Sequence, residues 1–224
     1  MDTVLGTDVS VAQGHGLDWK AIAATGVRFV AAKATDGRSY VDPTFDENIK
    51  AAGALGIITG SYHVFRPNSD PELQAQSYFK TAGARVEMPP AMDFELLGGV
   101  APALALSRAL RFVEVTESLW GKPCLVYLYP YFWQILGNDA KHPLGQRPLW
   151  ISHYDVQHPL IPNAWAQAGW TFWQYDGNGG RRFPGGIDAD FDVFNGSEDD
   201  LRRFLVACLP PPGPARSPSP PLTK

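Results

Sequence analysis

Short apolar runs alternate with stretches of helical period along most of the chain. Residues 4–9, 27–34, 57–65, 90–94, 124–129, 149–154 and 171–175 read as strands. Several are apolar almost without interruption, as parallel strands buried on both faces are. The helices between them carry readable punctuation. Asp42-Pro43 offers an N-cap and a proline at the first helical position, after which Phe45, Ile49 and Ala52 share a face until Gly56. Asp70-Pro71 repeats the device ahead of Ala75, Tyr78, Phe79 and Ala82. Leu106, Ala109, Leu110 and Val113 mark a longer helix. Ser197-x-x-Asp200 has the form of a capping box leading into Leu201, Phe204, Leu205 and Cys208. Strand–helix alternation with these spacings predicts a parallel α/β fold with right-handed crossovers. After Tyr129 the helical signals thin, so the expected form is a single irregular barrel, helix-rich in its first half. In such barrels the chemistry sits at the C-terminal ends of the strands.

Composition narrows the class. Of 224 residues 45% are hydrophobic, with seven Trp, which supports a sizeable core and excludes a disordered chain. A net charge of -4 and the lack of any Lys/Arg-rich run remove the electrostatic footprint of a nucleic-acid binder. Two cysteines, Cys124 and Cys208, exclude a disulfide scaffold and a cysteine-built zinc site, and both fall on apolar stretches. No run approaches the ~18 apolar residues of a membrane span. Seven of the 20 prolines lie within residues 209–224, so residues 1–208 are expected as one domain and the remainder as a disordered tail or linker stump. The N-terminal residues lack the basic and apolar regions of a signal peptide, and synthesis in the cytosol is expected.

The strand-end rule turns scattered acids into a candidate site. Asp8 closes the first strand and Asp93 and Glu95 close the fourth, while Asp188, Asp190 and Asp192 alternate with apolar residues late in the chain. Residues two apart on a strand face the same way, with Cα atoms roughly 6.5–7 Å apart. Two carboxyls so placed cannot both ionise freely, and one pKa rises, the condition for a general acid near neutral pH. Paired carboxylates of this kind equip glycosidases. An acidic pair alone more often marks a solvated face; the flanking Pro89-Pro90 and apolar neighbours favour a site. Asp188 and Asp192 are expected as exposed strand or turn acids. The D-x-D-x-D run lacks the Gly and Glu of a calcium loop, having Val193 and Asp199 at those positions.

Other chemistries find less support. The five histidines show no metal-ligand spacing, and no metal or cofactor is expected. G-x-S-x-G, P-loop and G-x-G-x-x-G motifs are missing. The glycine-rich stretch 177–186 opens no helix and reads as a hairpin or site loop. Aromatic residues crowd the predicted strand ends: Tyr62, Phe65, Tyr127, Tyr129, Tyr131, Trp133, Trp150, Tyr154, Trp173 and Tyr175. Many must be core, yet flat faces with polar tips suit stacking on sugar rings.

Together these segments resemble glycoside hydrolase family 25, the Chalaropsis-type lysozymes. Gly6-Thr7-Asp8-Val9-Ser10-x-x-Gln13-Gly14 with Asp18-Trp19 is similar to the family's opening, and Lys33-Ala34-Thr35-Asp36-Gly37 to its K-A-T/S-E-G strand. Gly60-Ser61-Tyr62-His63, Asp93-Phe94-Glu95, Val126-Tyr127-Leu128-Tyr129, Leu149-Trp150-Ile151-Ser152, Trp173-Gln174-Tyr175 and Asp190-Phe191-Asp192 follow in the family's order. The resemblance implies a flattened (β/α)5(β)3 TIM-like barrel. It implies hydrolysis of the β-1,4 bond between N-acetylmuramic acid and N-acetylglucosamine in peptidoglycan. By matching position, Glu95 is the general acid, Asp93 its partner, and Asp8 and Asp190 further site acids. Tyr62, Phe65, Tyr127, Tyr129, Trp150 and Gln174 are the expected substrate contacts. Asp36 stands where Glu is usual and Asp192 where Asn is frequent, the latter adding charge near Asp190.

Three rivals stay open at this level. A non-catalytic carbohydrate-binding barrel would keep the fold and the aromatic groove. A metal-dependent barrel hydrolase would use the four acids as ligands, and an N-acetylglucosaminidase would cut the other bond of the same polymer. The expected partner is the peptidoglycan glycan strand, met by a monomer that binds neither nucleic acid nor membrane. Without a signal peptide, the wall is reached by holin release, as for a phage endolysin, or by another export route.

Overall fold

Strand β1 (Thr3–Val9) pairs on one side with β2 (Phe29–Asp36) in parallel and on the other with β9 (Asp190–Asn195) in antiparallel fashion. Between those two edges run β4 (Ile58–Val64), β5 (Ala91–Asp93), β6 (Leu125–Leu128), β7 (Leu149–Ser152) and β8 (Phe172–Asp176), each parallel to the one before. The sheet therefore closes on itself, and a two-residue strand, β3 (Tyr40–Val41), hangs from the end of β2. This computed structural model describes residues 2–177 and 180–208; the proline-rich stretch 209–224 lies outside the described residues.

Helices α1 (Trp19–Ala24), α2 (Phe45–Gly53), α3 (Pro71–Ala82), α4 (Pro102–Trp120) and α5 (Pro130–Ile135) follow the first five barrel strands. The last three strands are joined by short 3-10 turns and loops, and α6 (Glu198–Ala207) follows β9. That is the (β/α)5(β)3 order. All seven predicted runs contain a strand. The short β3 and the barrel strand β9 were missed, and β9 runs against both of its neighbours. Its first residue therefore lies at the end of the barrel where the parallel strands finish.

The apolar runs are explained by two cores. Facing inward, Val4, Phe29, Ala31, Ala91, Leu125, Tyr127, Trp150, Phe172 and Phe194 fill the barrel. The alternate positions, among them Val30, Ala32, Ala34, Met92, Val126, Leu128 and Ile151, pack outward beneath the helices. Gly6 makes room for the inner layer: a Cβ there would lie 2.2 Å from the Phe29 ring, which crosses to pack edge-on against Phe172 at 5.2 Å.

Helix starts confirm most of the punctuation. Asp70 accepts from the backbone N–H of Glu72 and Leu73 with Pro71 behind it, and Ser197 and Asp200 form a reciprocal capping box. Asp42 is a correction. Helix α2 starts at Phe45 with Thr44 at its N-cap, and Asp42 is a buried anchor. Its Oδ1 accepts from the N–H and hydroxyl of Thr44, and its Oδ2 from the N–H of Val11. Phe79 also departs from its expected stripe and lies at the exposed edge of α3.

Outward-facing His63 is fully buried, stacked on Phe112 of α4 at 4.8 Å. The Gln74 amide nitrogen is committed to the carbonyls of Arg66, Ser69 and Asp70, so its Oε1 faces His63 Nε2. The ring is then a neutral Nε2–H tautomer, with the Thr35 hydroxyl donating to Nδ1 at 2.7 Å. Burial pulls His63 down to about 4, against which the Gln74 contact pulls weakly upward.

Two outcomes follow from this packing. Gly6→Ala should cost ~1–3 kcal/mol by overpacking, read as a lower urea midpoint with unchanged slope. The stability that His63 contributes is fully present above its unfolded value of 6.5 and is lost as pH falls toward about 4. Its size is on the order of 3 kcal/mol. Denaturation of the wild type and of His63→Gln at neutral and mildly acid pH should show that difference shrinking as pH drops; a constant difference would mean the ring is not held neutral.

Candidate active site

At the C-terminal end of the parallel strands a cleft of about 660 Å³ opens. Four carboxyls converge on it. Asp8 stands near the end of β1, Asp93 ends β5, Glu95 follows just beyond, and Asp190 begins β9 directly opposite Asp8 in the register. Residues far apart in the chain meet here because β9 is antiparallel. Thr7 helps to pin the seam, its hydroxyl donating to the Asp190 carbonyl at 2.5 Å.

Of the ten residues expected at the site, nine line this cleft: Asp8, Tyr62, Asp93, Glu95, Tyr127, Tyr129, Trp150, Gln174 and Asp190. Phe65 does not. It is fully buried on the outer face, packed against Phe94 and Phe112 at 5.6 and 5.2 Å. Trp133 is likewise core, edge-on to Trp165, with its N–H given to Asn163. Tyr131, Gln134, Ser152, His153, Tyr154 and Leu160 line the cleft but were not among the expected contacts. Tyr154 follows β7 by two residues and was already among the aromatics crowding the predicted strand ends.

The floor of the site is a hydrogen-bond chain. The hydroxyls of Tyr127 and Tyr154 donate to Gln174 Oε1 at 2.8 and 2.5 Å. The opposite end of the amide, Nε2, donates to Asp8 Oδ2 at 2.6 Å. Gln174 is thus spent at both ends and orients Asp8. Trp150 stands edge-on to both Tyr62 and Tyr127, and its N–H points away from the cleft, to Asp192 Oδ1 at 2.7 Å. Asp192 is the second correction, for it is wholly buried below the site, whereas Asp188 is exposed as expected.

Electrostatics follow from this crowding. Burial is the largest influence on Asp8, Asp93 and Glu95. It lifts Asp8 to about 8, helped by the charge of Asp190 and opposed by Gln174 and Asp192. Asp93 is driven well above the ordinary range by burial and then by Glu95, with Lys33 drawing it back. Glu95 is raised by burial and by Asp190. Both members of the pair therefore rise, and desolvation outweighs their mutual repulsion. Tyr62 and Tyr127 are held neutral as donors by burial and the surrounding acids. Asp36 is the exception. Burial would raise it, but a two-pronged contact from Arg66 at 2.6 and 2.7 Å, with Lys33 at 3.3 Å, holds it low. Among the described residues, no group of three or more His, Cys, Asp or Glu is arranged to hold a metal ion.

Such a site can protonate a leaving oxygen and hold an adjacent anion in a cleft walled by aromatic rings. Comparison with known proteins agrees with that chemistry. The family model described as glycosyl hydrolases family 25 matches residues 7–182. The uncharacterized protein YegX of Escherichia coli O157:H7 is 30% identical over 91% of this chain and 74% of its own length. The N,O-diacetylmuramidase of Chalaropsis sp. is 26% identical over 91% of this chain and all of its own. The crystal structure of the bacterial lysozyme from Streptomyces coelicolor superposes with a TM-score of 0.82 at 28% identity, covering 93% of this chain and 98% of that one. With the barrel, the cleft and the matched length in agreement, this chain belongs to glycosyl hydrolases family 25.

Proposed function

We propose that the protein is a peptidoglycan hydrolase, a 1,4-β-N-acetylmuramidase that cleaves between N-acetylmuramic acid and N-acetylglucosamine. The observation that carries this reading is the meeting of Asp93 and Glu95 with Asp8 and Asp190 in one aromatic-walled cleft. Similarity to a lysozyme of Streptomyces globisporus and to the N,O-diacetylmuramidase of Chalaropsis sp. supports the same reaction. The reading implies action at the bacterial cell wall, reached by holin release, as for an endolysin, or by another export route. Among the described residues no helix is long and apolar enough to cross a membrane. Residues 1–208 serve as the catalytic barrel and 209–224 as a tail or linker.

In this reading Glu95 is the general acid. It protonates the glycosidic oxygen as the bond from that oxygen to C1 breaks. The carbonyl oxygen of the sugar's own 2-acetamido group closes on C1 from the other face, while Asp93 accepts the acetamido N–H and stabilises the positive ring that forms. Water then opens that ring as Glu95 takes back a proton, giving net retention. The free pair holds its protons tightly. An acetamido N–H arriving at Asp93, beside the charge of Lys33, favours the anion there and leaves the proton on Glu95. Tyr62 and Tyr129 present rings and hydroxyls to the sugars and Tyr127 its ring, while Trp150 and Gln174 act from behind by fixing the floor.

Glu95→Gln should lower kcat by on the order of 10²–10⁴ with the fold intact. Mass spectrometry of borohydride-reduced digests should show new muraminitol ends from the wild type and almost none from the variant; glucosaminitol ends would assign the other bond. The raised pKa of Glu95 predicts an alkaline limb of kcat/KM above the ordinary Glu value of 4.5. Asp190→Asn removes one cause of that rise, so the limb should move to lower pH, and an unmoved limb would point to another acid. By proton NMR the β-anomer should appear first. Early α-anomer would mean an inverting route with Asp93 as base.

A further inference from the structure

Asp192 lies two residues below Asp190 on β9, with Gly6 of β1 and Gln174 of β8 as its register partners. Its exposure is 0%. One oxygen, Oδ1, accepts from Trp150 Nε1. Among the described residues no N–H or hydroxyl donor reaches the other, Oδ2, which is also buried. The group in hydrogen-bonding contact with this carboxyl is that of Asp8. Two carboxyls can make a hydrogen bond only if one of them carries a proton. A carboxylic acid donating to a carboxylate makes a short, charge-assisted bond, whereas two buried carboxylates side by side leave an uncompensated charge.

The rest of the chain shows which partner holds the proton. Asp8 reaches the cleft and takes an N–H from Gln174, whose amide orientation is set by two tyrosine hydroxyls. Asp192 has no route to water. The member that gives up its proton first is therefore Asp8. From the elements packed around the pair, Tyr62, Tyr127, Tyr154 and Tyr175 bear on it as neutral groups, and Asp93, Glu95 and Asp190 as acids. None of these supplies a positive charge that would draw the proton away. Burial and the charge of Asp8 raise Asp192 well above the ordinary carboxylate range, in agreement with the geometry.

We propose that Asp192 is a positioning residue: it remains un-ionised, donates from Oδ2 to Asp8, and fixes that carboxyl in one orientation under the bound sugar. The role rests on the muramidase reading of the cleft, whereas the shared proton does not. An amide at this position would make the same two bonds, with its NH2 directed to Asp8 and its oxygen to Trp150. A leucine would make neither.

Two variants and one spectrum test this. With purified peptidoglycan, Asp192→Leu should lower kcat by on the order of 10–100-fold with KM little changed, and Asp192→Asn should restore most of that loss. Carboxyl carbon NMR of aspartate-labelled wild type should show un-ionised side chains persisting at neutral pH, Asp93 among them, and Asp192→Asn should remove one of those signals. The spectrum and the Asn variant carry the test if Asp192→Leu does not fold. An Asn variant as impaired as the Leu variant, or one that loses no un-ionised aspartate signal relative to the wild type, would overturn the pairing. A wild type that shows the signal but releases no glycan fragments would instead sink the muramidase reading, and the positioning role with it.

Discussion

Closure of the barrel through β1 is the constraint on which the rest depends. A sheet with open edges would leave rows of unpaired backbone groups, and this one removes them by giving β1 a partner on each side, β2 in parallel and β9 in reverse. Closure also creates the inner layer, where Phe29, Trp150, Phe172 and Phe194 fill a space too narrow for a side chain at position 6. On that apolar plug rest Gln174 and Asp192, and on them the cleft. Each layer is positioned by the one below it, which is how the carboxyls are held in fixed relation.

That arrangement is expensive. Carboxyls lifted by burial hold protons that the unfolded chain would release, so near neutral pH they draw down the stability supplied by the cores. His63 acts in the opposite sense, contributing most when neutral. The two groups occupy opposite faces of the barrel wall: His63 looks outward to α3 and α4, and the acids look inward and upward. The helical shell thus carries the stability, and the strand ends carry the strained electrostatics that the chemistry uses.

How much of this was legible depends on parity. A strand buried on both faces announces itself as an unbroken apolar run, and all seven such runs became strands. The strand β9 did not announce itself, because Asp190-Phe191-Asp192 alternates like a half-exposed strand. In a small barrel the inward face can be the polar one, and the same alternation then describes buried acids. Phe65 failed for a related reason. It lies three residues beyond Tyr62, hence on the other face of the strand, so its place near a strand end did not bring it to the cleft. Thr44 displaced Asp42 as the cap of α2 because Asp42 is held by Val11, a contact 31 residues away that local punctuation cannot reveal. The acids at 8, 93, 95 and 190 were legible because the strand-end rule and the family's motif order pointed to the same positions.

The antiparallel entry of β9 has a further meaning for how the protein comes into being. Asp93 and Glu95 are in place once β5 is laid down, but Asp190 arrives only when the last barrel strand returns to the first. That pairing spans nearly the whole chain, the kind of contact that forms late. A nascent or truncated chain ending before β9 would hold Asp8, Asp93 and Glu95 on an unsealed sheet, without Asp190 beside them or Asp192 beneath. The cleft is in this sense a reporter of completed folding, assembled by the same event that seals the barrel.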